Sequence, residues 1–538
     1  MFNKKYFAII IAMHFTSLNV LADEQAQNTT VKLIEQLVEQ GVLSRDIADE
    51  LIESSQSKNA GETKLDEEVE PGVIRVPYIP ETVKQEIREQ IRSGLREDVS
   101  RDVIAKGKLE RWGVPGVLPT WVNRLKFSGD IRLRGQSDAY PSENASSLYF
   151  NYQAINEAGG VNSAGLDATF NTIEDRERLR IRARLGVKAK ITQGWDSEMR
   201  LATGSFTDPV STNQTLGNFN RNFRIVLDRA YIKYTSEFKD FMFMGGRMPN
   251  PWKSTDLVWD RDLNFDGLAV KYFFNRTDNP LDVDEDRFDP YLTLGAFPLA
   301  EENRYADKWL LGIQAGFDKT FSEQSKVSLS LAYYDYQNIE GEVNTAGSSI
   351  NNHTAPDYMQ KGNSVFDISD PLVATNQLYG LATDYNLLNL TFNYDYAGFA
   401  PYHIYIVADY VKNVGYEISN DAKASGAIVS NANYAEESQG YQVKLAFGWP
   451  NVRQRGNWRA YMRYKEVERD AVLDAFNDSD FHLGGTDAKG YMLGGDYGID
   501  EDVWLSARWI SSDVINGEQM GSGPFKINTF QLDLKAKF

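Results

Sequence analysis

One row of basic side chains stands out at residues 178–191, which read RLRIRARLGVKAKI. Every second residue from Arg178 is basic apart from Gly186, and most of the residues between them are apolar. Successive side chains of a β-strand point to opposite faces, so this stretch predicts a strand with one basic and one apolar face. The basic residues are Arg178, Arg180, Arg182, Arg184, Lys188 and Lys190.

The apolar face of this strand determines where the basic face can lie. In a soluble sandwich the apolar face would cover a core, whereas in a membrane barrel it would face lipid. Because an Arg or Lys at the midplane of a barrel's lipid face costs about 2–4 kcal/mol, a barrel would place the basic row in its lumen. Alternatively, the basic residues form ion pairs with lumen carboxylates such as Asp130 and Asp228 instead of contacting solutes. The two roles are compatible.

Residue types suited to catalysis or metal binding are sparse. The chain has no cysteine, which excludes disulfides, thiolate metal sites and cysteine nucleophiles. His353, His403 and His482 adjoin no recognisable Ser or Asp motif, so the sequence predicts no enzyme. The acidic run at 282–286 (DVDED) lacks the spacing of a calcium loop, so no metal or cofactor is predicted. A net charge of −19 argues against nucleic acid as a partner.

The first residues have the features of an export signal. Lys4 and Lys5 precede an apolar stretch at 6–15 that is too short to span a bilayer. Residues 1–22 are therefore predicted to be a signal peptide cleaved before Asp23, with an uncleaved anchor as the alternative. No later run of about 18 apolar residues exists, so no transmembrane helix is predicted.

Residues 23–124 are predicted to form a periplasmic helical region and linker. Apolar residues recur there every four positions through a charged background, at Val83, Ile87, Ile91, Leu95, Val99 and Val103. Such a stripe needs a partner surface, either on its own chain or in an intermolecular coiled coil. We expect these helices to support oligomerisation, and contact with the cell wall is a further expectation.

From residue 125 to residue 538 the apolar pattern has a period of two. About 16 stretches show it, including ones that begin near Lys308, Tyr402 and Tyr491. Many have the roughly 10 residues that a tilted membrane strand requires. Short turns such as 236–240 alternate with long polar loops such as 137–175 and 337–383. This alternation is typical of an outer-membrane barrel, so the predicted fold is an all-β transmembrane barrel of about 16 antiparallel strands.

The chain ends in an alternating strand, NTFQLDLKAKF, whose last residue is Phe538. A terminal Phe on such a strand resembles the assembly signal of Gram-negative outer-membrane barrels. We therefore expect the barrel assembly machinery to be a partner.

Several stretches carry a resemblance to the "putative porin" family of Gram-negative bacteria. They include LKFSGDIRLRGQ (125–136), RERLRIRARLGVKAKI (176–191), GRMPNPW (246–252) and LNFDGLAVKY (263–272). The resemblance implies a trimer-capable outer-membrane pore with a periplasmic helical part. The expected surroundings are outer-membrane lipid and lipopolysaccharide, and a homotrimer is the expected assembly.

The connection after GRMPNPW is the third long loop if the first strand starts in the periplasm. In porins of this size that loop folds inward, and here it carries Asp256, Asp260 and Asp262. An acidic loop opposite a basic wall would set a transverse field that screens solutes by charge. The sequence thus predicts passive diffusion of small hydrophilic solutes and ions through a water-filled barrel with a charged constriction. The alternatives are a structural tether for the helices and, as a weaker one, an outer-membrane enzyme.

Overall fold

The computed structural model describes residues 122–145, 149–275, 287–322, 324–373, 377–425, 436–516 and 523–538. The predicted signal peptide at 1–22 lies outside these residues, as do the predicted helices with their coiled-coil alternative. The acidic run at 282–286 also lies outside them. These interpretations stay predictions.

The described residues form nineteen strands. In chain order they are β1 Leu125–Ala139, β2 Arg176–Thr192, β3 Trp195–Thr203, β4 Gln214–Thr215, β5 Ile225–Thr235, β6 Phe241–Pro249, β7 Asn264–Phe273, β8 Phe288–Ala300, β9 Lys308–Ser322, β10 Ser325–Gln337, β11 Val365–Asp367, β12 Tyr379–Leu381, β13 Asn386–Phe399, β14 Tyr402–Asn413, β15 Gln439–Gly448, β16 Trp458–Val467, β17 Ala488–Asp500, β18 Val503–Val514 and β19 Lys526–Lys537. Apart from β4, β11 and β12, these strands close into one antiparallel barrel, so sixteen strands form its wall. The predicted barrel of about 16 strands is confirmed.

The helices are short and lie in the connections between strands. They are α1 Tyr152–Ala158, α2 Val161–Ala164 and α3 Asn420–Ser425, with 3₁₀ turns at Val122–Arg124, Gly165–Ala168, Ile350–Thr354, Asp474–Phe476 and Phe481–Leu483. Within the described ranges, none of the helices has the length and apolar character needed to cross a bilayer.

The two ends of the described barrel chain pair with each other. Strand β1 is hydrogen-bonded to β2 on one side and to β19 on the other. The last residue completes this ladder, because Gly129 N donates to the Phe538 carbonyl at 2.8 Å and Phe538 N donates back at 3.0 Å. Phe538 therefore lies in the seam that closes the barrel.

The connections divide into two rims. Short turns join β2 to β3 and β17 to β18, and we call their side the turn rim. Long connections emerge on the other side, the loop rim, and four of them matter below. They are loop 2 (204–224), loop 3 (250–263), loop 5 (338–385) and loop 7 (468–487).

The barrel wall has two chemically distinct faces. On β1, Ile131 and Leu133 are 48% and 42% exposed, whereas the alternating Arg132 and Arg134 are buried. The same alternation recurs along β19 and β2, where outward residues are apolar and inward residues are mostly polar or charged. The period of two thus positions charged groups inside the barrel.

The largest buried apolar cluster also lies inside the barrel. It joins loop 3 residues such as Trp252 and Trp259 to inward residues of the wall such as Phe297 and Tyr334, and to loop 7 residues such as Val472. Loops 3 and 7 therefore fill part of the interior instead of extending away from the rim.

Candidate functional site

Loop 3 enters the barrel because its apolar residues find partners on the inner wall. Trp252, Leu257, Val258, Trp259 and Leu263 are each no more than 5% exposed. Trp259 packs edge-on against Phe265 of β7 at 5.0 Å and against Tyr334 of β10 at 5.1 Å between ring centroids. These contacts hold the acidic part of the loop across the lumen.

Two glycines of the wall make room for the start of loop 3. A Cβ added at Gly312 would lie 2.7 Å from Trp252 Cζ2, and one at Gly295 would lie 2.8 Å from the same atom. Both distances are shorter than van der Waals contact allows. The Trp252 ring therefore lies directly on the backbones of β8 and β9.

Asp262 joins loop 3 to the basic row of β2. Its Oδ1 lies 3.3 Å from Arg182 Nη1 and 3.1 Å from Arg184 Nη1. Asp130 of β1 accepts hydrogen bonds from the same two arginines at 2.9 and 2.7 Å. Burial alone would raise the pKa of Asp262, but the two arginines lower it below its usual value.

Asp256 binds a different part of the wall. It accepts a hydrogen bond from Arg463 of β16, and Lys465 of the same strand lies 3.8 Å from its Oδ1. Asp478 of loop 7 contacts both bases, at 3.4 Å from Arg463 and 3.0 Å from Lys465. Although burial opposes ionisation, Arg463 and Lys465 hold the pKa of Asp256 well below its usual value.

Asp260 makes no ion pair with the basic wall in the part of the chain described. Its Oδ2 accepts hydrogen bonds from the Ser479 amide and hydroxyl, both at 2.9 Å, and its Oδ1 accepts one from Asp262 N. Burial, together with the charges of Asp262 and Asp478, raises the pKa of Asp260 well above its usual value. Asp260 thus links loop 3 to loop 7.

The remaining residues of the basic row have separate environments. Arg178 pairs with Asp138 of β1, and Lys188 lies 3.3 Å from Glu198 of β3. Lys190 is exposed near the turn rim. Among the described residues, no side chain pairs with the Arg180 guanidinium, whose Nε is buried without a hydrogen-bond acceptor.

The structure thus brings together only part of the predicted site. Arg182 and Arg184 meet Asp262, whereas Asp256 meets a second basic pair and Asp260 meets loop 7. Of the two carboxylates expected to neutralise the row, Asp130 does contact it. Asp228 pairs with Arg200 of β3 instead.

Several charged residues of the interior were not predicted from the sequence. Arg134 binds Asp533 of β19 at 2.6 Å and Asp480 of loop 7 at 2.8 Å, and Arg508 of β18 also pairs with Asp480. The alternating stretch DIRLRG at 130–135 contains the signal that places Arg132 and Arg134 on the inner face. The apolar stretch AVLDAF at 471–476 is the corresponding signal that loop 7 is buried.

Loops 3 and 7 lie between two cavities of the barrel. A turn-side cavity of about 750 Å³ is bounded by the turn at 449–457 and by the part of the barrel wall nearest the turn rim. Loop 3 closes its other side with Asp256, Asp260 and Asp262. A loop-side cavity of about 720 Å³ is bounded by loops 2, 5 and 7 and by Trp259 and Leu263 of loop 3. Loop 3 therefore presents charged residues to one cavity and apolar residues to the other.

The family described as "Putative porin" matches residues 27–538, almost the whole chain. The chain belongs to this family. Membership, together with the closed sixteen-strand barrel, identifies an outer-membrane barrel of porin type and favours a channel over an enzyme. The resemblance found in the sequence is confirmed.

Solved structures with a similar arrangement share little sequence with this porin. The outer membrane channel DcaP of Acinetobacter baumannii is 13% identical, with a TM-score of 0.38 over 77% of this chain and 97% of that one. OprB of Pseudomonas putida is 10% identical, with a TM-score of 0.43 over 78% and 95%. The anion-selective porin from Comamonas acidovorans is 9% identical, with a TM-score of 0.38 over 77% and 99%. Among curated proteins, none matches the sequence significantly.

Proposed function

We propose that the protein allows passive diffusion of small hydrophilic solutes and ions through a water-filled outer-membrane barrel, with loop 3 forming a charged constriction. The observation that carries this proposal is the position of Asp262. It projects from an inward-folded loop to within 3.3 Å of Arg182 and 3.1 Å of Arg184 on the barrel wall. Sixteen strands enclose a lumen of the size that supports an aqueous channel.

Fixed charges close to the constriction should dominate ion selection. Low-dielectric walls focus the field of nearby charges, whereas exposed charges further away are screened over about 10 Å at ordinary salt. The turn-side cavity is lined by twelve basic and eight acidic side chains, although the whole chain has a net charge of −19. The local excess of positive charge supports a role for the arginine row in selecting ions.

Neutralising the centre of the row tests the proposal. Replacing Arg180, Arg182 and Arg184 together by Gln should move the reversal potential in a salt gradient toward cation preference, because three positive charges leave the lumen. The control is Lys190→Gln, which changes an exposed residue near the turn rim and should leave the reversal potential close to wild type. Heat-modifiable mobility in gels would verify that the variants are folded. An unchanged reversal potential in the folded triple variant would contradict the proposal.

The partners expected from the sequence stay predictions. They are lipopolysaccharide, the barrel assembly machinery at Phe538, a homotrimer, and the cell wall through the region at 23–124. A tethering role for that region is compatible with a channel.

A further inference from the structure

The turn-side cavity contains a lysine that no carboxylate neutralises. Lys444 lines the cavity from β15, and its Nζ lies 4.4 Å from the centroid of the Tyr461 ring of β16. Among the described residues, its ammonium group forms no ion pair and no hydrogen bond. A Lys ammonium has three donors, so a half-buried one without a counterion is available to an anionic solute.

Arg261 of loop 3 brings a second cation to the same part of the cavity. Its side chain is 77% exposed, and its Nη2 lies 3.6 Å from Asp256 Oδ2, which is beyond hydrogen-bond distance. Asp256 does not depend on this contact, because Arg463 is bound to it and Lys465 lies 3.8 Å away. Of the charged groups around Lys444, Arg261 has the strongest effect on it. The two cations are therefore close to each other, and the donors of both are free.

Positive charge exceeds negative charge on this side of the cavity. Lys444 lies directly opposite Arg463 in the β15–β16 ladder, and like charges in that position need compensation. The ion pairs of the region leave an excess of two positive charges, with the bases Lys444, Arg261, Arg459, Arg463 and Lys465 against the carboxylates Asp256, Asp478 and Asp496. A dianion would supply the missing negative charge.

The types of the two free bases indicate which anions fit. A guanidinium offers a planar fork of N–H donors that matches two oxygens of one oxyanion, whereas a Lys ammonium acts as a point charge. A tetrahedral oxyanion has oxygens in several directions, so it can accept hydrogen bonds from both bases at once. The cavity volume of about 750 Å³ leaves room for the rest of a solute that carries such a group.

We propose that Lys444 and Arg261 form a binding site for dianionic oxyanions of the sulfate and phosphate type. The site is separate from the arginine row of β2, whose Arg182 and Arg184 are occupied by Asp130 and Asp262. A solute that binds between the wall and loop 3 is retained in the lumen for a time and obstructs other ions. This inference rests on the proposed channel function and names a class of solute that the channel selects.

Sulfate is the probe, and methyl sulfate is its matched control with the same tetrahedral centre and a single charge. Each is added at constant ionic strength to the full-length porin in a planar bilayer that carries a chloride current. The concentration that halves the current is measured. Sulfate should block at a concentration about tenfold lower than methyl sulfate, since a charged hydrogen bond contributes roughly that factor in affinity.

Variants locate the effect. Lys444→Gln and Arg261→Gln should each raise the half-blocking concentration of sulfate about tenfold, because each removes one charged hydrogen bond. Lys444→Arg keeps the charge and should retain most of the block. Lys535→Gln is the control within the same cavity, because the Lys535 ammonium already donates to Ser506 at 2.9 Å and lies 3.4 Å from Asp533. It should change the half-blocking concentration less than Lys444→Gln does.

The outcomes separate this inference from the proposed function. Equal block by sulfate and methyl sulfate in a conducting porin would overturn the inference and leave the channel intact. The same holds if Lys444→Gln and Lys535→Gln weaken the block equally, because sulfate would then respond to lumen charge in general. A folded porin that conducts no ions would overturn both.

Discussion

Asp256, Asp260 and Asp262 are close neighbours in the sequence, yet each has a different electrostatic environment. Asp256 and Asp262 lie next to basic side chains that lower their pKa values, whereas burial and neighbouring carboxylates raise the pKa of Asp260. As the pH falls, Asp260 therefore takes up a proton before the other two. The three residues do not contribute equally to a field across the lumen.

This difference predicts the effects of two amide substitutions. At pH 5, Asp262→Asn should move the reversal potential toward anion preference, because it removes a negative charge beside Arg182 and Arg184. Asp260→Asn is the matched control and should have a smaller effect at that pH, because burial and neighbouring carboxylates raise the pKa of Asp260, so its carboxyl is protonated to a greater extent than that of Asp262. As the pH rises and Asp260 ionises, its variant should diverge from wild type in the anionic direction. A large effect of Asp260→Asn at pH 5 that disappears at higher pH would contradict this assignment.

At the residue scale, the sequence predicted positions better than partners. The alternation at 178–191 was enough to put the arginines on one face of a strand. It could not show that Asp256 meets Arg463, more than two hundred positions along the chain, because that contact depends on how far loop 3 crosses the barrel. Arg180 likewise needed the structure to reveal its unpaired guanidinium.

At the element scale, buried packing along loop 3 holds the loop inside the barrel, and Trp252 anchors its start. Trp252 lies on the wall where Gly295 and Gly312 leave space, and it packs against Tyr334 with ring centroids 5.3 Å apart. Loop 7 supports the other end through the hydrogen bonds between Ser479 and Asp260. Loop 3 should therefore be displaced at its start by a change that crowds Trp252 and the Tyr334 ring on which it packs.

Gly312→Ala provides that change. The added methyl group would lie 2.7 Å from Trp252 Cζ2, so the ring must move and the start of loop 3 should loosen. We expect a larger and noisier single-channel conductance in planar bilayers. Gly135→Ala on β1 is the control, because its methyl group would find no atom closer than 3.9 Å. If Gly312→Ala conducts like wild type and like Gly135→Ala, the Trp252 contact does not hold the constriction in place.

Strand positions were predictable because most of the wall repeats with a period of two. The start of β9 at Lys308 and that of β14 at Tyr402 are those that the pattern indicates. The pattern placed the start of β17 near Tyr491, although the strand begins at Ala488, because Gly490 interrupts the row of side chains. The burial of loop 7 was not anticipated, since polar residues surround its apolar stretch at 471–476.

At the scale of the whole molecule, overall charge and interior charge have opposite signs. The chain has a net charge of −19, but basic residues predominate in the turn-side cavity. Composition alone could not show this, because it does not distinguish residues in the lumen from residues on the rims. The barrel was easier to anticipate, since the period of two and the alternation of short turns with long loops are visible in the sequence. The structure shows how it closes, with β19 paired to β1.

We propose that the closed barrel is a water-filled channel despite the loops within it. The most direct test is single-channel recording of the purified, folded wild-type porin in planar bilayers. We predict stepwise currents that rise linearly with voltage, together with a reversal potential in a salt gradient that depends on the charges near loop 3. Protein that has been heat-unfolded should give no steps. A folded barrel that inserts into the bilayer but carries no ion current would contradict the account.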